Sequence, residues 1–282
     1  MAHRQTNRHN LEYYFWYTSS DGVKHLATST DTPGAVPTQF NDYAFTPSRF
    51  AQEPYPATFP PGGIWPPKTV TDLLVPLGPE CTECVGDICY TDTVCEDPIC
   101  DHTFENWKAA TQEWQEYFEL RMTEGRGVGV YTKRAFDVGD VLGWYAGELK
   151  TTEECKDGDY FMEMEIGPMP WASQTAEETV FIDASIKGNW TRFINHSCEA
   201  YATFCVRRVG NVRIMVVEAV KDIPANTELT IDYGPEYYGM STSRICQCGA
   251  QSCVGVKKLK LQEERRAKMR MKTCRKDCPP QE

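Results

Sequence analysis

Residues 192–198 read Arg-Phe-Ile-Asn-His-Ser-Cys, and residues 228–234 read Glu-Leu-Thr-Ile-Asp-Tyr-Gly. An Asn-His-Ser-Cys segment that has to meet a distant Asp-Tyr implies a site assembled by threading one piece of chain past another. Upstream, Gly127-Val128-Gly129-Val130 follows Arg126, and residues 145–148 read Tyr-Ala-Gly-Glu. Downstream, Cys246-x-Cys248-x4-Cys253 supplies three thiols at short spacing. Structural zinc takes four ligands in a tetrahedron, so three thiols ask for a fourth from elsewhere.

Around these segments, short β-rich runs alternate with Gly, Asp and Asn turns: 129–131, 141–145, 160–166, 180–183, 202–206, 212–219 and 228–232. Phe136–Gly139 and Ile223–Asn226 read as turns. Many short strands without alternating helices predict a mostly β (α+β) domain of several small sheets and exclude a doubly wound dinucleotide fold. Gly-Arg-Gly-Val-Gly lacks the Lys-Ser/Thr of a phosphate loop.

The stretch from about Gly125 to Gly255 resembles the SET-domain protein lysine methyltransferases, whose landmarks it carries in the family's order. The resemblance implies the SET fold, with a knot-like threaded C-terminal segment. It also implies transfer of a methyl group from S-adenosylmethionine (SAM) to the ε-amine of a protein lysine, with a histone tail, histone H3 by default, as substrate. A non-histone protein substrate, or a non-catalytic SET-fold scaffold that binds chromatin, is the alternative.

By that resemblance Arg126, Gly127, Val128 and Gly129 hold the amino-acid end of SAM. Both glycines let backbone approach a ligand. Arg192, Phe193, Asn195 and His196 hold the rest, with Arg192 facing the knot and the His196 ring bracing it. Tyr233 is the central catalytic residue and also borders the cofactor. Tyr145 and Tyr160 line the lysine channel, Tyr160 near the cofactor as well, and Asp232 is a structural acid beside them. Methyl transfer to nitrogen needs an aligned, neutral amine, yet a free lysine with a pKa of ~10.4 is mostly protonated near neutrality. A narrow apolar channel disfavours the ammonium form. Cys198 supplies the fourth ligand to Cys246, Cys248 and Cys253. One departure stands out: relatives often carry an aromatic residue about five positions past the last cysteine, where this chain reads Val254-Gly-Val-Lys-Lys-Leu259. The channel lid is then aliphatic, or the aromatic N-terminal arm completes it.

The rest of the chain divides by composition. Residues 1–75 are Pro- and aromatic-rich and read as an irregular arm that either docks on the domain or stays a disordered tail. Residues 76–120 hold Cys81, Cys84, Cys89, Cys95 and Cys100, with His102 nearby, and read as a reduced pre-SET-like zinc module of one ion or two. Within them, 106–120 suits a short amphipathic helix or an edge strand. The SET domain spans 121–238, the post-SET zinc motif 239–256, and a basic, helix-prone tail 257–282.

The 282 residues carry a net charge of −11 and thirteen cysteines. Residues 257–276 hold ten Lys and Arg against Glu263 and Glu264, so the remaining chain is more acidic than the total. That balance suits steering of a basic substrate, and equally plain solubility. The basic tail is first a solvated helix and second a weak, salt-sensitive nucleic-acid contact. The longest apolar run falls far short of the ~20 residues that cross a bilayer, so no membrane partner is expected. The first residues do not suit a signal peptide, which implies a reducing compartment, the nucleus with the cytoplasm as alternative, and makes the cysteines metal ligands rather than disulfides. The sequons at Asn189 and Asn195 would need a secretory route for which nothing in the sequence speaks.

Overall fold

The computed structural model describes residues 13–29, 34–56, 59, 62–75, 83–86, 95, 97, 100–155, 158–166 and 179–276, with side chains to 269. In chain order, β1 (Trp16–Thr18), β2 (Lys24–Leu26), β3 (Thr38–Gln39) and β4 (Tyr43–Ala44) precede helices α1 (Val70–Leu73) and α2 (Phe104–Ala110). Then come β5 (Phe118–Thr123), β6 (Gly127–Thr132), β7 (Val141–Trp144), β8 (Gly147–Lys150), β9 (Phe161–Glu165) and β10 (Thr179–Asp183). They are followed by β11 (Lys187–Gly188), β12 (Asn195–His196), β13 (Ala202–Val209), β14 (Val212–Ala219) and β15 (Glu228–Ile231). Helices α3 (Pro235–Tyr238) and α4 (Val254–Lys276) end the described chain.

The strands form three sheets among the described residues. The largest runs β2-β1-β5-β6-β15-β13-β14-β7, with β12 added on β15; the second runs β4-β8-β10-β9; β11 and β3 form the third. The fold is therefore mostly β with several small sheets, the class that the short turn-bounded runs predict. The stretch 106–120 resolves into both of its alternatives: α2, capped by the Thr103 side chain on the Asn106 amide, then a 3-10 turn at Trp114–Glu116, then β5.

The threading is explicit in the pairing. β12 runs parallel to β15 with Asn195 opposite Thr230 and His196 opposite Ile231. The Ser197 amide extends the ladder to the Ile231 carbonyl at 2.9 Å. On its other side β15 pairs antiparallel with β6, placing Leu229 opposite Val130. Three segments far apart in sequence thus meet edge to edge. Each supplies an unpaired strand edge that only another segment can satisfy, since buried backbone groups need partners.

Prolines keep the N-terminal arm irregular, but its aromatic residues dock it. β1 pairs parallel with β5, β3 with β11 and β4 with β8, so the arm touches all three sheets. Phe15 is fully buried, with its ring centroid 4.9 Å from that of Phe193. Tyr43 is buried against Trp144, and its hydroxyl accepts the Met215 amide at 3.3 Å. Burying one such ring is worth about 1.5–3 kcal/mol. Phe15, Tyr43 and Phe50 each contribute in this way to holding the arm.

Candidate active site

Two cavities meet beside β12 and the end of β15. The larger, about 440 Å³, lies within the ~300–1,000 Å³ typical of small-molecule pockets. Of the residues singled out in the sequence, Arg126, Gly127, Val128, Tyr160, Arg192, Phe193, Asn195, His196 and Tyr233 line it. The smaller, about 250 Å³, has apolar walls from Tyr145, Phe204, Ile194, Ile231 and Met162, with Asp232 at its edge. Asp159, Arg192, Tyr233 and Tyr237 belong to the walls of both.

The two glycines play different parts. Gly127 has φ +72°, and a Cβ built there would meet nothing within 4 Å, so its side-chain position is open space. Gly129 does not line the cavity. A Cβ there would stand 2.8 Å from Glu228 Oε1 and 2.9 Å from Asn195 Nδ2. Its absence of side chain lets β6 approach the knot rather than a ligand.

That close approach creates a polar relay. Arg126 Nη2 donates to Glu228 Oε2 at 2.5 Å, and Glu228 Oε1 accepts from Asn195 Nδ2 at 3.0 Å. The same Nδ2 donates to the Val128 carbonyl at 3.3 Å. Asn195 thus has both amide protons used inside the protein while the residue lines the larger cavity.

Arg192 lines both cavities beside the knot residues Tyr233 and Ile194, and it is held from the other side by backbone. Its Nε donates to the Ala184 carbonyl at 2.7 Å and its Nη2 to that of Ser185 at 3.1 Å, while the guanidinium lies 4.0 Å over the Tyr160 ring. This buried cation forms the shared wall between the cavities. Tyr160 borders the larger cavity, and its carbonyl accepts the Tyr145 hydroxyl at 2.7 Å. Tyr145 itself faces the smaller one.

The Tyr233 hydroxyl donates to the Ile194 carbonyl at 2.7 Å. Burial, reinforced by Tyr237, Tyr145, Tyr238 and Tyr160 around it, raises this phenol well above its usual range. It therefore stays protonated near neutrality, a hydrogen-bond donor rather than an anion. The Tyr233 amide donates to His196 Nδ1 at 3.0 Å. Asp232 lies 3.5 Å from that nitrogen, which is already an acceptor and so has no proton to give. The exposed Asp232 instead accepts the Gly234 amide at 2.9 Å and shapes the turn after β15.

The sequence reading missed Glu228 as a site residue, and with it Asp159, Tyr237 and Tyr238. Pro235-Glu-Tyr-Tyr238, directly after Asp-Tyr-Gly, is the one visible signal for the tyrosines. Tyr237 packs edge-on to Tyr233 with centroids 5.0 Å apart, and Tyr238 stacks at 6.2 Å. Tyr237 lines both cavities and Tyr238 the larger one. From the N-terminal arm, Thr28 reaches the larger cavity.

Cys198, Cys246, Cys248 and Cys253 converge, with all four sulfurs within 4.8 Å of one another. Cys198 and Cys246 Sγ are 3.8 Å apart. That is close to the edge of a tetrahedron whose sulfurs stand ~2.3 Å from a shared centre. The Val254 amide points at Cys198 Sγ (3.4 Å) and the Cys248 amide at Cys246 Sγ (3.4 Å), donors that suit thiolates. The donor set fits zinc.

The upstream cysteines divide differently from the expected run. Cys84, Cys100 and His102 form a second group within 4.8 Å. Cys95 pairs with Cys84 through backbone only, its amide donating to the Cys84 carbonyl at 2.8 Å, and is not in the group. Cys81 and Cys89 lie outside the described residues. Gly86 and Gly210 amides donate to Cys84 Sγ at 3.4 and 3.3 Å, and Arg208 Nη1 to Cys100 Sγ at 3.4 Å. Three N–H donors thus meet two sulfurs of a Cys/Cys/His set, a combination of ligand types found at zinc sites. Gly210 stands in the turn between β13 and β14, and a Cβ there would strike the His102 carbonyl at 2.1 Å, so the hairpin turn itself seats this group.

Residues 127–234 match the SET domain family model. Among curated proteins it is 37% identical over 138 residues to the histone-lysine N-methyltransferase NSD3 of Mus musculus, covering 49% of this chain and 9% of that protein. It is 28% identical over 186 residues to a histone-lysine N-methyltransferase, H3 lysine-36 specific, of Candida glabrata, covering 61% of this chain and 23% of that one. The chain thus spans less than a quarter of the length of these relatives. Among solved structures, Arabidopsis thaliana SUVH6 in complex with SAM aligns over 50% of this chain and 33% of that chain, at 24% identity and a TM-score of 0.40.

Proposed function

We propose that this protein is a SAM-dependent protein-lysine N-methyltransferase acting on a histone H3 tail in the nucleus. The observation that carries this reading is the meeting of a polar cavity and a narrower apolar one at Tyr233. A cofactor and a side chain entering from opposite sides would react there.

SAM, when bound, supplies the methyl group as a sulfonium. Arg126, Gly127, Asn195, His196 and Phe193 would hold it in the larger cavity. Gly127 leaves room for it, and the Asn195 side-chain oxygen, not needed for the Nδ2 bonds, would accept from a ligand donor. The apolar walls from Ile231, Phe204 and Tyr145 would receive the lysine stem and disfavour its ammonium form. The protonated Tyr233 hydroxyl orients the reacting groups without attacking either. Both thiolate-rich groups are proposed zinc sites. Cys198/Cys246/Cys248/Cys253 ties the segment after the knot to the cavity, and Cys84/Cys100/His102 braces the β13–β14 hairpin.

Relatives named H3 lysine-36 specific make that lysine the first to test. The assay is transfer of radiolabelled methyl from SAM to recombinant nucleosomes, to H3 peptides and to cell extract. Label on H3 supports the reading. Label only on other proteins moves the substrate away from histones. SAM binding without any label supports a scaffold role.

A further inference from the structure

We propose that Lys258, outside both cavities, is a positioning residue that clamps the 237–244 segment into the rim of the lysine channel. The proposal rests on the lysine-methyltransferase reading.

Lys258 lies on α4, yet only 3% of it is exposed. Lysine is almost never buried this deeply unless something holds its charge. Its Nζ donates to the Thr242 carbonyl at 2.8 Å, the Thr242 hydroxyl at 3.0 Å and the Arg244 carbonyl at 2.7 Å. Three donors meet three oxygens, all uncharged and all on one loop. A solvated helix face has no use for such an arrangement.

What the loop then does is specific. The Thr242 hydroxyl donates onward to the Tyr237 carbonyl at 3.1 Å. Arg244 extends across the gap to Asp159 at 2.5 Å, and its guanidinium lies 4.0 Å over the Tyr237 ring. Tyr237 and Asp159 are walls of both cavities. Lys258 thus grips Tyr237 twice, through Thr242 at its backbone and through Arg244 at its ring.

The relative strengths decide which link matters. Arg244 and Asp159 are 46% and 32% exposed. An ion pair that open to water holds little by itself. Hydrogen bonds from a buried ammonium are among the strong ones. The anchor is therefore Lys258, and the ion pair is the part that can open for a peptide. Cys253, a ligand of the proposed zinc, directly precedes α4, so the metal centre fixes the helix from which the clamp extends.

The test is Lys258→Met in the full chain. It should raise the KM for an H3 peptide about tenfold, the effect of losing charge-assisted bonds. KM for SAM and zinc content should be unchanged, and backbone amides 239–245 should exchange faster with deuterium. Asp159→Asn, which leaves α4 and its three hydrogen bonds untouched, should speed exchange of amides 239–245 far less than Lys258→Met does, because the exposed pair holds little by itself. Unchanged loop exchange and unchanged peptide KM in Lys258→Met would overturn the clamp. So would joint loss of SAM binding and zinc, which marks general destabilisation. Wild-type protein that transfers no methyl at all, with faster loop exchange in the variant, would instead reject the enzyme reading and leave the clamp standing.

Discussion

The backbone N–H of Tyr233 donates to Nδ1 of His196 at 3.0 Å, while Nε2 of the same ring lies 3.4 Å from Cys198 Sγ. With Nδ1 an acceptor, the proton sits on Nε2 and points at the sulfur. Burial holds this imidazole below its ordinary range, and the opposing pull of Asp232 is smaller. One neutral ring therefore joins the strand end that carries Tyr233 to the thiolate group that organises the C-terminal segment. Its position at the crossing of β12 and β15 makes the proposed catalytic and metal sites one mechanical unit.

Tyr233→Phe should lower methyl transfer about 100-fold, the scale associated with a small misplacement of reacting groups. SAM affinity should stay near wild type. Losing the bond to the Ile194 carbonyl should lower stability by only about 1 kcal/mol. Equal turnover of the variant at saturating peptide would reject the catalytic role of the hydroxyl.

Zinc should be present at two equivalents per chain. Cys198→Ser should lose one equivalent and activity together, because thiolate binding of zinc is coupled to folding. His102→Ala should lose the other equivalent and leave the first in place. Elemental analysis decides both; full retention of metal in either variant would rule out that ligand set.

Glu228→Gln should weaken SAM binding about tenfold, since charge-assisted bonds to both Arg126 and Asn195 are reduced. Folding should persist, because the change keeps side-chain volume. Calorimetric titration with SAM measures it, and unaltered affinity would show that the Arg126–Glu228–Asn195 relay does not organise the cofactor cavity.

The smaller cavity should pass more than one methyl. Ile231 carries no hydroxyl to hold a water beside the amine, and its neighbours Phe204 and Ile194 are apolar. Di- or trimethyl-lysine is expected from mass spectrometry at long reaction times. Ile231→Tyr should shift the product downward. Monomethyl-lysine alone from active wild-type protein would contradict this.

Much of the proposed site was legible because its residues work through short-range chemistry. Gly127 is marked by the backbone freedom it needs, and Cys246-x-Cys248 by ligand spacing. Arg192–Cys198 and Glu228–Gly234 are runs whose strand edges must find each other. These requirements are local, so they survive in a linear string. What lay outside the sequence reading depends on contacts between distant segments. Glu228 meets Arg126 only because β15 registers against β6. Arg192 reaches the Ala184 and Ser185 carbonyls because the turn between β10 and β11 passes beside it. His102 stood beside the cysteine run in the sequence, but which of those residues gather with Cys84 and Cys100 depends on the β13–β14 turn that Gly210 sets against them. Lys258 looked like one more cation on a basic helix. The sequence by itself determined the motif chemistry and the mostly β class. Only the tertiary structure decided which charged and aromatic side chains were buried together, because burial is a property of packed segments and not of any one of them.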